Sequence, residues 1–327
     1  VPNPATSQMG GYMYSYDSYM HGRQYYFGLS LGAAYKVSDN FAVALGVRGV
    51  YATCNYYGYV ENITFVGNDG RTLPLSTIVD PNDPKSSDIE LNTNQSGVGF
   101  TPFIGIDYKT GRWNFSAKYE FKTRLRLKNQ GTVISPVGKL NDVGANLVQY
   151  GVPAQVLPAI APSINQAKNS INELIAEYDE EQTKKVAGDI PSLLTLGVGY
   201  KPVDALRINV GFHWFDDKNA TSTYYYTNHE GQSVKVDRHK LLDRGTLEYN
   251  AGVEYDLNKK FTVSTGWQNT SYGLSDEYMD DKSFVVSSNS VAVGGVYHIN
   301  RKMDLNVAYF HTFYDHKKTS ESVALSA

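Results

Sequence analysis

The side chains most able to do chemistry in this chain of 327 residues stand at every second position of one run. Lys118, Glu120, Lys122, Arg124, Arg126 and Lys128 would share a single face of an extended strand, because successive side chains there point to opposite sides. A cationic lining of this kind can hold a carboxylate head group through charge-assisted hydrogen bonds. The plainer reading is a solvated surface whose charge is balanced by Glu248 and Glu254 on other strands. Of the seven His residues, no two share one strand face at metal-ligand spacing with a supporting carboxylate. His239 lies near Asp237 and Asp243, residue types that a hydrolytic site uses, but a solvated loop is the better reading of the trio. Cys54 is the single cysteine, which excludes an internal disulfide framework and a cysteine-based zinc site. No cofactor is expected.

Composition narrows the class that must position these groups. Apolar residues make up 41% and charged residues 19%, with 26 Tyr. Disordered chains are poor in aromatics and rich in charge, so disorder is excluded. No apolar run approaches ~18 residues, which excludes a helical membrane protein. The net charge of −3, without a basic block, speaks against nucleic acid as a partner. A chain rich in Tyr and Gly with little helical periodicity points to an all-β protein.

One pattern recurs along the chain: a strand ending in small residues and Tyr, a short polar turn, then a second alternating strand. It reads Gly32-Ala-Ala-Tyr-Lys-Val-Ser-Asp-Asn-Phe41 and Ile106-Asp-Tyr-Lys-Thr-Gly-Arg-Trp113. It returns as Gly199-Tyr-Lys-Pro-Val-Asp-Ala-Leu206, Tyr255-Asp-Leu-Asn-Lys-Lys-Phe261 and Tyr297-His-Ile-Asn-Arg-Lys-Met303. Each reads as a hairpin, with Asn, Asp, Gly and Pro supplying the turn, so ten strands are expected. Their faces can be assigned. Tyr25, Phe27, Leu29, Leu31, Ala33 and Tyr35 oppose Tyr26, Gly28, Ser30, Gly32 and Ala34. Leu206, Ile208, Val210, Phe212 and Trp214 oppose Arg207, Asn209, Gly211 and His213, and Leu247, Tyr249, Ala251 and Val253 oppose Glu248, Asn250, Gly252 and Glu254.

A soluble sandwich would turn the apolar face inward, whereas a membrane barrel turns it to lipid. Three features favour the barrel. The strands run roughly 10–14 residues, against ~9–11 needed to cross a bilayer. Aromatics gather near strand ends, where interfacial girdles sit. The turns inside the repeats are short, while the connections over residues 55–96, 129–189, 216–245 and 269–288 are long, the asymmetry of an outer-membrane barrel.

The connection over residues 129–189 carries the one clear helical pattern. Ile164, Ala167, Ile171, Leu174, Ile175 and Tyr178 form an apolar stripe, and Ser163 with Gln166 resembles a capping box. The stripe can pack on the barrel rim, and the same apolar surface, with Ile171, Leu174 and Ile175 at its centre, can form a capture groove for a hydrophobic ligand.

The ordered set of strand pairs resembles the FadL/TodX (OmpP1) family of outer-membrane channels for hydrophobic compounds. The segments that carry the resemblance are residues 29–41, 189–202 continuing to 214, 249–258 and 290–300, and it covers residues 24–314. It implies an antiparallel transmembrane β-barrel of 14 strands in the outer membrane of a Gram-negative bacterium, with a lumen closed by an N-terminal hatch. Little chain precedes the first repeat, so the hatch and the first strands are expected to be absent and the ten strands to be part of a larger barrel, within one domain spanning residues 1–327. The implied function is passive uptake of hydrophobic ligands such as long-chain fatty acids or aromatic hydrocarbons, by a monomer embedded in membrane lipid, and not an enzymatic one. Residues Ile171, Leu174, Ile175, Lys122, Arg124 and Arg126 are the expected ligand contacts. A scaffold or shuttle subunit of a secretion system built on the same barrel is the alternative.

Overall fold

The computed structural model describes residues 13–66, 72–134, 143–149, 153–159, 185–227, 233–279 and 285–317, with a few isolated positions between 161 and 169. Its strands in chain order are β1 Met13–Lys36, β2 Phe41–Val66, β3 Thr72–Pro74, β4 Ile89–Thr110, β5 Trp113–Glu120, β6 Arg126–Ile134, β7 Lys185–Ala187 and β8 Leu193–Val203. They continue with β9 Leu206–Phe215, β10 Thr223–Thr227, β11 Ser233–Asp237, β12 Thr246–Asp256, β13 Phe261–Ser271, β14 Ser288–Asn300 and β15 Met303–Tyr314. The wall is an antiparallel meander in the order β1-β2-β4-β5-β8-β9-β12-β13-β14-β15, the ten expected strands. Among the described residues β1 and β15 do not pair with each other.

The short turns collect at one end of the wall, and three of them show a local cause. Gly111 adopts φ +55 between β4 and β5, a conformation nearly free of steric cost only for glycine. After β12, the Asn258 side chain accepts from the Lys260 and Phe261 amides, and Asn300 does the same for Lys302 before β15. Such side-chain caps hold the chain in a tight reversal.

Period-two alternation decides the two faces. Leu29, Leu45, Val98, Phe100, Ile104, Val210, Val293 and Val307 are all exposed on the convex face, the surface that a barrel turns to the bilayer. Paired residues share a face, so the registers Leu45 with Ile104 and Ile104 with Tyr119 carry the apolar face from strand to strand. The concave face is polar or small. Gly32 and Gly46 lie under the Phe103 ring, and a Cβ on Gly46 would come within 2.4 Å of that ring and 2.5 Å of the Leu31 carbonyl.

Three strands reach further than their composition suggests. The first begins at Met13 rather than Gln24, and β2 and β4 run through the expected loop over residues 55–96 to leave only 67–88 between them. Asn55 explains part of this, since its amide donates to Asn92 and Asn94 across the pair. These side chains look like loop in sequence and act as ladder in three dimensions. The expected connection over 129–189 is likewise shortened by β6 and β7, and that over 216–245 holds the β10–β11 hairpin.

Val210→Arg near the midplane should lower barrel stability by ~2–4 kcal/mol, measured as the urea midpoint in liposomes. On a Cys54→Ser background, cysteines at 207 and 209 should react with water-soluble thiol reagents and a cysteine at 210 only with lipid-soluble ones. The opposite labelling pattern would invert the wall.

Candidate functional site

Three polar clusters line the concave face, and each joins neighbouring strands. Arg48 on β2 donates to Ser30 on β1 and pairs with Glu120 on β5 at 2.8 Å. Lys118 binds the other oxygen of Glu120 and holds its ammonium 5.2 Å from the centre of the Phe103 ring. One carboxylate is therefore shared by two cations, which remain partly exposed to the lumen while Glu120 is buried. Further round the wall, His213 Nδ1 lies 3.0 Å from Glu248, which also accepts from Thr270. At the short-turn end, Arg207 donates to Glu254 and makes a fork of two bonds to Asp256. From there Thr262 donates to Asp256 and touches His298, whose Nδ1 meets Asp304 at 2.8 Å. That chain links β9 to β15 in one polar girdle.

Between β5 and β6 the wall breaks. Phe103 pairs with Glu120 and Ser96 with Lys128, so seven steps along β4 face eight steps along its partner. The extra residue is a β-bulge. Its cause lies on the neighbouring strand. Pro102 points its carbonyl at the break, where it accepts from the Phe121 amide at 3.0 Å, and proline has no N–H to return toward the same side. Past the bulge, Thr123, Leu125 and Leu127 turn to the concave face. Thr123 hydrogen-bonds Thr101, and Leu125 and Leu127 pack on Ala52, Val186 and Ile190. Gly97 and Gly99 make this possible, since a Cβ on Gly99 would lie 2.6 Å from Thr123 and 3.0 Å from Leu125.

The bulge corrects the expected luminal ladder. Lys118 and Glu120 face the lumen, but the phase change sends Arg124, Arg126 and Lys128 to the convex side, in line with Phe100, Val98 and Ser96 of β4. Lys122 sits at the bulge and donates to the Asn219 carbonyl. The centre of this region is Asp189, whose side chain is 1% exposed. It accepts from the Leu125 amide at 3.0 Å and from Arg126 at 2.6 Å, with Lys122 at 3.8 Å. Asp189 thus takes over a backbone donor that the broken ladder leaves free.

The sequence pointed to neither Asp189 nor Arg48 as functional. Arg48 carried a signal: it is the lone cation on a strand face otherwise made of Ala44, Gly46, Val50 and Ala52. Asp189 carried none that is local. Ile171, Leu174 and Ile175 lie outside the described residues. Among the described residues, the helices Leu75–Val79 and Val143–Gln149 meet in a cluster of Leu75, Ile78, Val79, Val143 and Leu147. Asn146 locks it by donating to the Ile78 and Val79 carbonyls. His239 turns Nδ1 to the Ser222 backbone, while Asp237 is engaged by Lys235 and Lys240, so the three residues do not assemble.

Two effects should be measurable. Asp189→Asn keeps an acceptor for the Leu125 amide but loses the charge, and should cost ~1–2 kcal/mol in urea unfolding, since both cations are partly solvated. Bonds from Lys235 and then Lys240 hold Asp237 down at about 2, below its ordinary 3.8. A depressed carboxyl contributes stability above 3.8 that fades as pH falls through about 2. Amide exchange in the β10–β11 hairpin should therefore accelerate between these limits, and Asp237→Asn should abolish the acceleration.

The family model described as outer membrane protein transport protein (OMPP1/FadL/TodX) matches residues 23–326. Among solved structures, a Pseudomonas aeruginosa FadL homologue is similar with a TM-score of 0.57 and 15% identity, over 90% of this chain and 61% of that one. The CymD monoaromatic hydrocarbon channel gives 0.51 and 13%, over 93% of this chain and 73% of that one. A TodX deltaS2S3 mutant monoaromatic hydrocarbon channel gives 0.52 and 13%, over 92% and 72%. The chain thus spans about three fifths of the FadL homologue's length. No curated protein matches. At these identities the likeness is one of fold.

Proposed function

This chain belongs to the OMPP1/FadL/TodX family of outer membrane transport proteins, and from that premise we propose that it is a channel for passive uptake of hydrophobic ligands. The observation that carries the reading is the apolar cluster of Leu75, Ile78, Val79, Val143 and Leu147. It is built from the long connections, at the end of the wall where loops otherwise meet water. Ile78, Val79 and Val143 are buried against one another, so the cluster anchors the loop layer, and a hydrophobic molecule would gain ~25 cal/mol for each Å² of apolar surface it removes from water on the loops so held. Ile171, Leu174 and Ile175 would extend this capture surface, and the lumen would then conduct the ligand along a wall that is polar at three clusters and small or aromatic between them. Long-chain fatty acids and monoaromatic hydrocarbons are the two ligand classes proposed.

The acidic head group of a fatty acid would meet Lys118 and Arg48. These are the luminal cations near the break, and they replace Arg124 and Arg126 in the contact first expected from the ladder with Lys122. A ligand carboxylate would compete with Glu120 for donors already in place. The exchange keeps binding modest, as passage requires a ligand to leave as readily as it enters.

Uptake of a fluorescent fatty acid and of toluene into proteoliposomes tests the reading. Replacing Ile171, Leu174 and Ile175 with Ser should slow both while the strand spectrum stays unchanged, because loops contribute little to the ladder. Lys118→Gln should weaken the acid by about tenfold at most, the lower end for a charge-assisted bond in a solvated site, and leave its methyl ester unaffected. Unaltered uptake of both ligands in the triple variant would remove the capture role of the helix.

A further inference from the structure

We propose that the convex face of the wall break is a binding site for an anionic lipid of the surrounding membrane, with its phosphate on Arg124 and the basic residues of β6 and β7 and an acyl chain in the depression beside them. The inference rests on the membrane-embedded wall and not on the transport reading.

The charge comes first. Past the bulge, Arg124, Arg126 and Lys128 stand at alternate positions on the convex side, and the register places Lys185 directly opposite Lys128. Like charges facing each other across a strand pair repel, and the pairing is left standing with both lysines exposed. Among the described residues, the one carboxylate that this group engages is Asp189, through Arg126. Asp189 is buried, with Lys122 as its second cation, so its charge is spent within the wall. Arg124, Lys128 and Lys185 face outward with no acidic partner among the described residues.

The height of these residues on the wall decides what they face. Tyr108 and Trp113 mark the lower girdle, Trp113 stacking on Tyr200 at 4.2 Å. From Tyr108 up to Val98, a rise of ~3.3 Å per residue at a tilt of about 40° covers about 25 Å, the height of the apolar band of such barrels. Arg126 is in line with Val98 and Lys128 with Ser96, so these two reach the level of the lipid phosphates on the long-loop side, with Arg124 one step below them beside Phe100. A basic cluster in a loop would meet only water; this one is fixed on the convex face at headgroup height.

The seat for a chain lies directly beside it. Gly49 has no side chain where its neighbours carry large ones, and a shallow, open depression of about 480 Å³ lies there among Phe27, Leu29, Tyr51, Val98 and Phe100. Val98 and Phe100 form its wall on the side of Arg126 and Arg124. An alanine methyl at Gly49 would make ordinary contact, 3.8 Å from Phe100, so the dent holds more than one methylene. A straight acyl chain fills such a depression, while a free anion has no use for it. A phosphorylated lipid matches both halves at once.

Native mass spectrometry on the full chain in nanodiscs tests this. In phosphatidylcholine discs containing phosphatidic acid, the protein should retain phosphatidic acid over phosphatidylcholine by about tenfold, as expected for one charge-assisted contact. The Arg124→Ser, Lys128→Ser, Lys185→Ser triple variant should lose that preference with its strand spectrum unchanged. Gly49→Leu, with every cation kept, should reduce retention of phosphatidic acid by filling the depression. No preference in the natural chain, or an undiminished one in the triple variant, overturns the proposal. Displacement of the lipid by an equal concentration of inorganic phosphate would overturn the lipid seat and leave a simple anion site.

Discussion

Inside a bilayer no water is present to satisfy an amide, so a spanning wall stands only if each strand returns the donors and acceptors of its neighbours. Pro102 breaks that exchange in the middle of β4, where its carbonyl is taken by the Phe121 amide and it has no hydrogen to give back. One extra residue enters the opposing strand, and the consequences spread from there. The phase of side chains reverses. Leu125 and Leu127 fold over Gly97 and Gly99 to reach Ala52, and the cations that alternate with them are sent to the lipid side. The Leu125 amide then needs a new acceptor, and the side chain of Asp189 supplies it from the neighbouring segment. A single absent donor thus separates the luminal charges from the convex ones.

The luminal charges are organised by a different rule. The cations of two concave clusters already hold carboxylates: Lys118 holds Glu120 on its own strand, Arg48 reaches the same Glu120 across β4, and Arg207 holds Glu254 and Asp256 on the adjoining β12. Pairs of this kind tie strands laterally where the convex face offers only lipid contact. The Arg207 network reaches from β9 to β15 through Thr262 and His298, so its deletion would loosen several registers together and not one pair.

The period-two pattern was legible in the sequence because it is local: apolar residues at alternate positions identify the lipid face wherever the strand is regular. Ten strands and five short turns could be read in this way. The direction of Arg124 and Arg126 could not. In the run from Lys118 to Lys128 the alternation continues without a flaw, since Leu125 and Leu127 keep step with Phe115 and Tyr119. What changes is the side on which those leucines finish, and a shift of one residue is enough to exchange the faces. The signal for the shift lies in Pro102 on another strand, and in the glycines of β4 that admit the leucines. The upper ends of β1, β2 and β4 were missed for a related reason. Asn55, Asn92 and Asn94 are turn formers by composition, and only pairing makes them ladder residues.

A wall of this kind suits a weakly held cargo. A bare luminal cation would bind an acidic ligand strongly and retain it, whereas a cation already bonded to a carboxylate exchanges one partner for another at little net gain. An apolar cargo faces the same arithmetic from the other side. Passing a bare charge would require stripping water from it, but Glu120 and its partners have surrendered part of their hydration to one another. The Phe103 ring, seated over Gly32 and Gly46 and touched by Lys118, adds an apolar surface beside that paired cluster. Closed ion pairs beside an aromatic ring leave no bare charge at this point of the lumen, which is the property that the proposed passage of both an acid and a hydrocarbon would require.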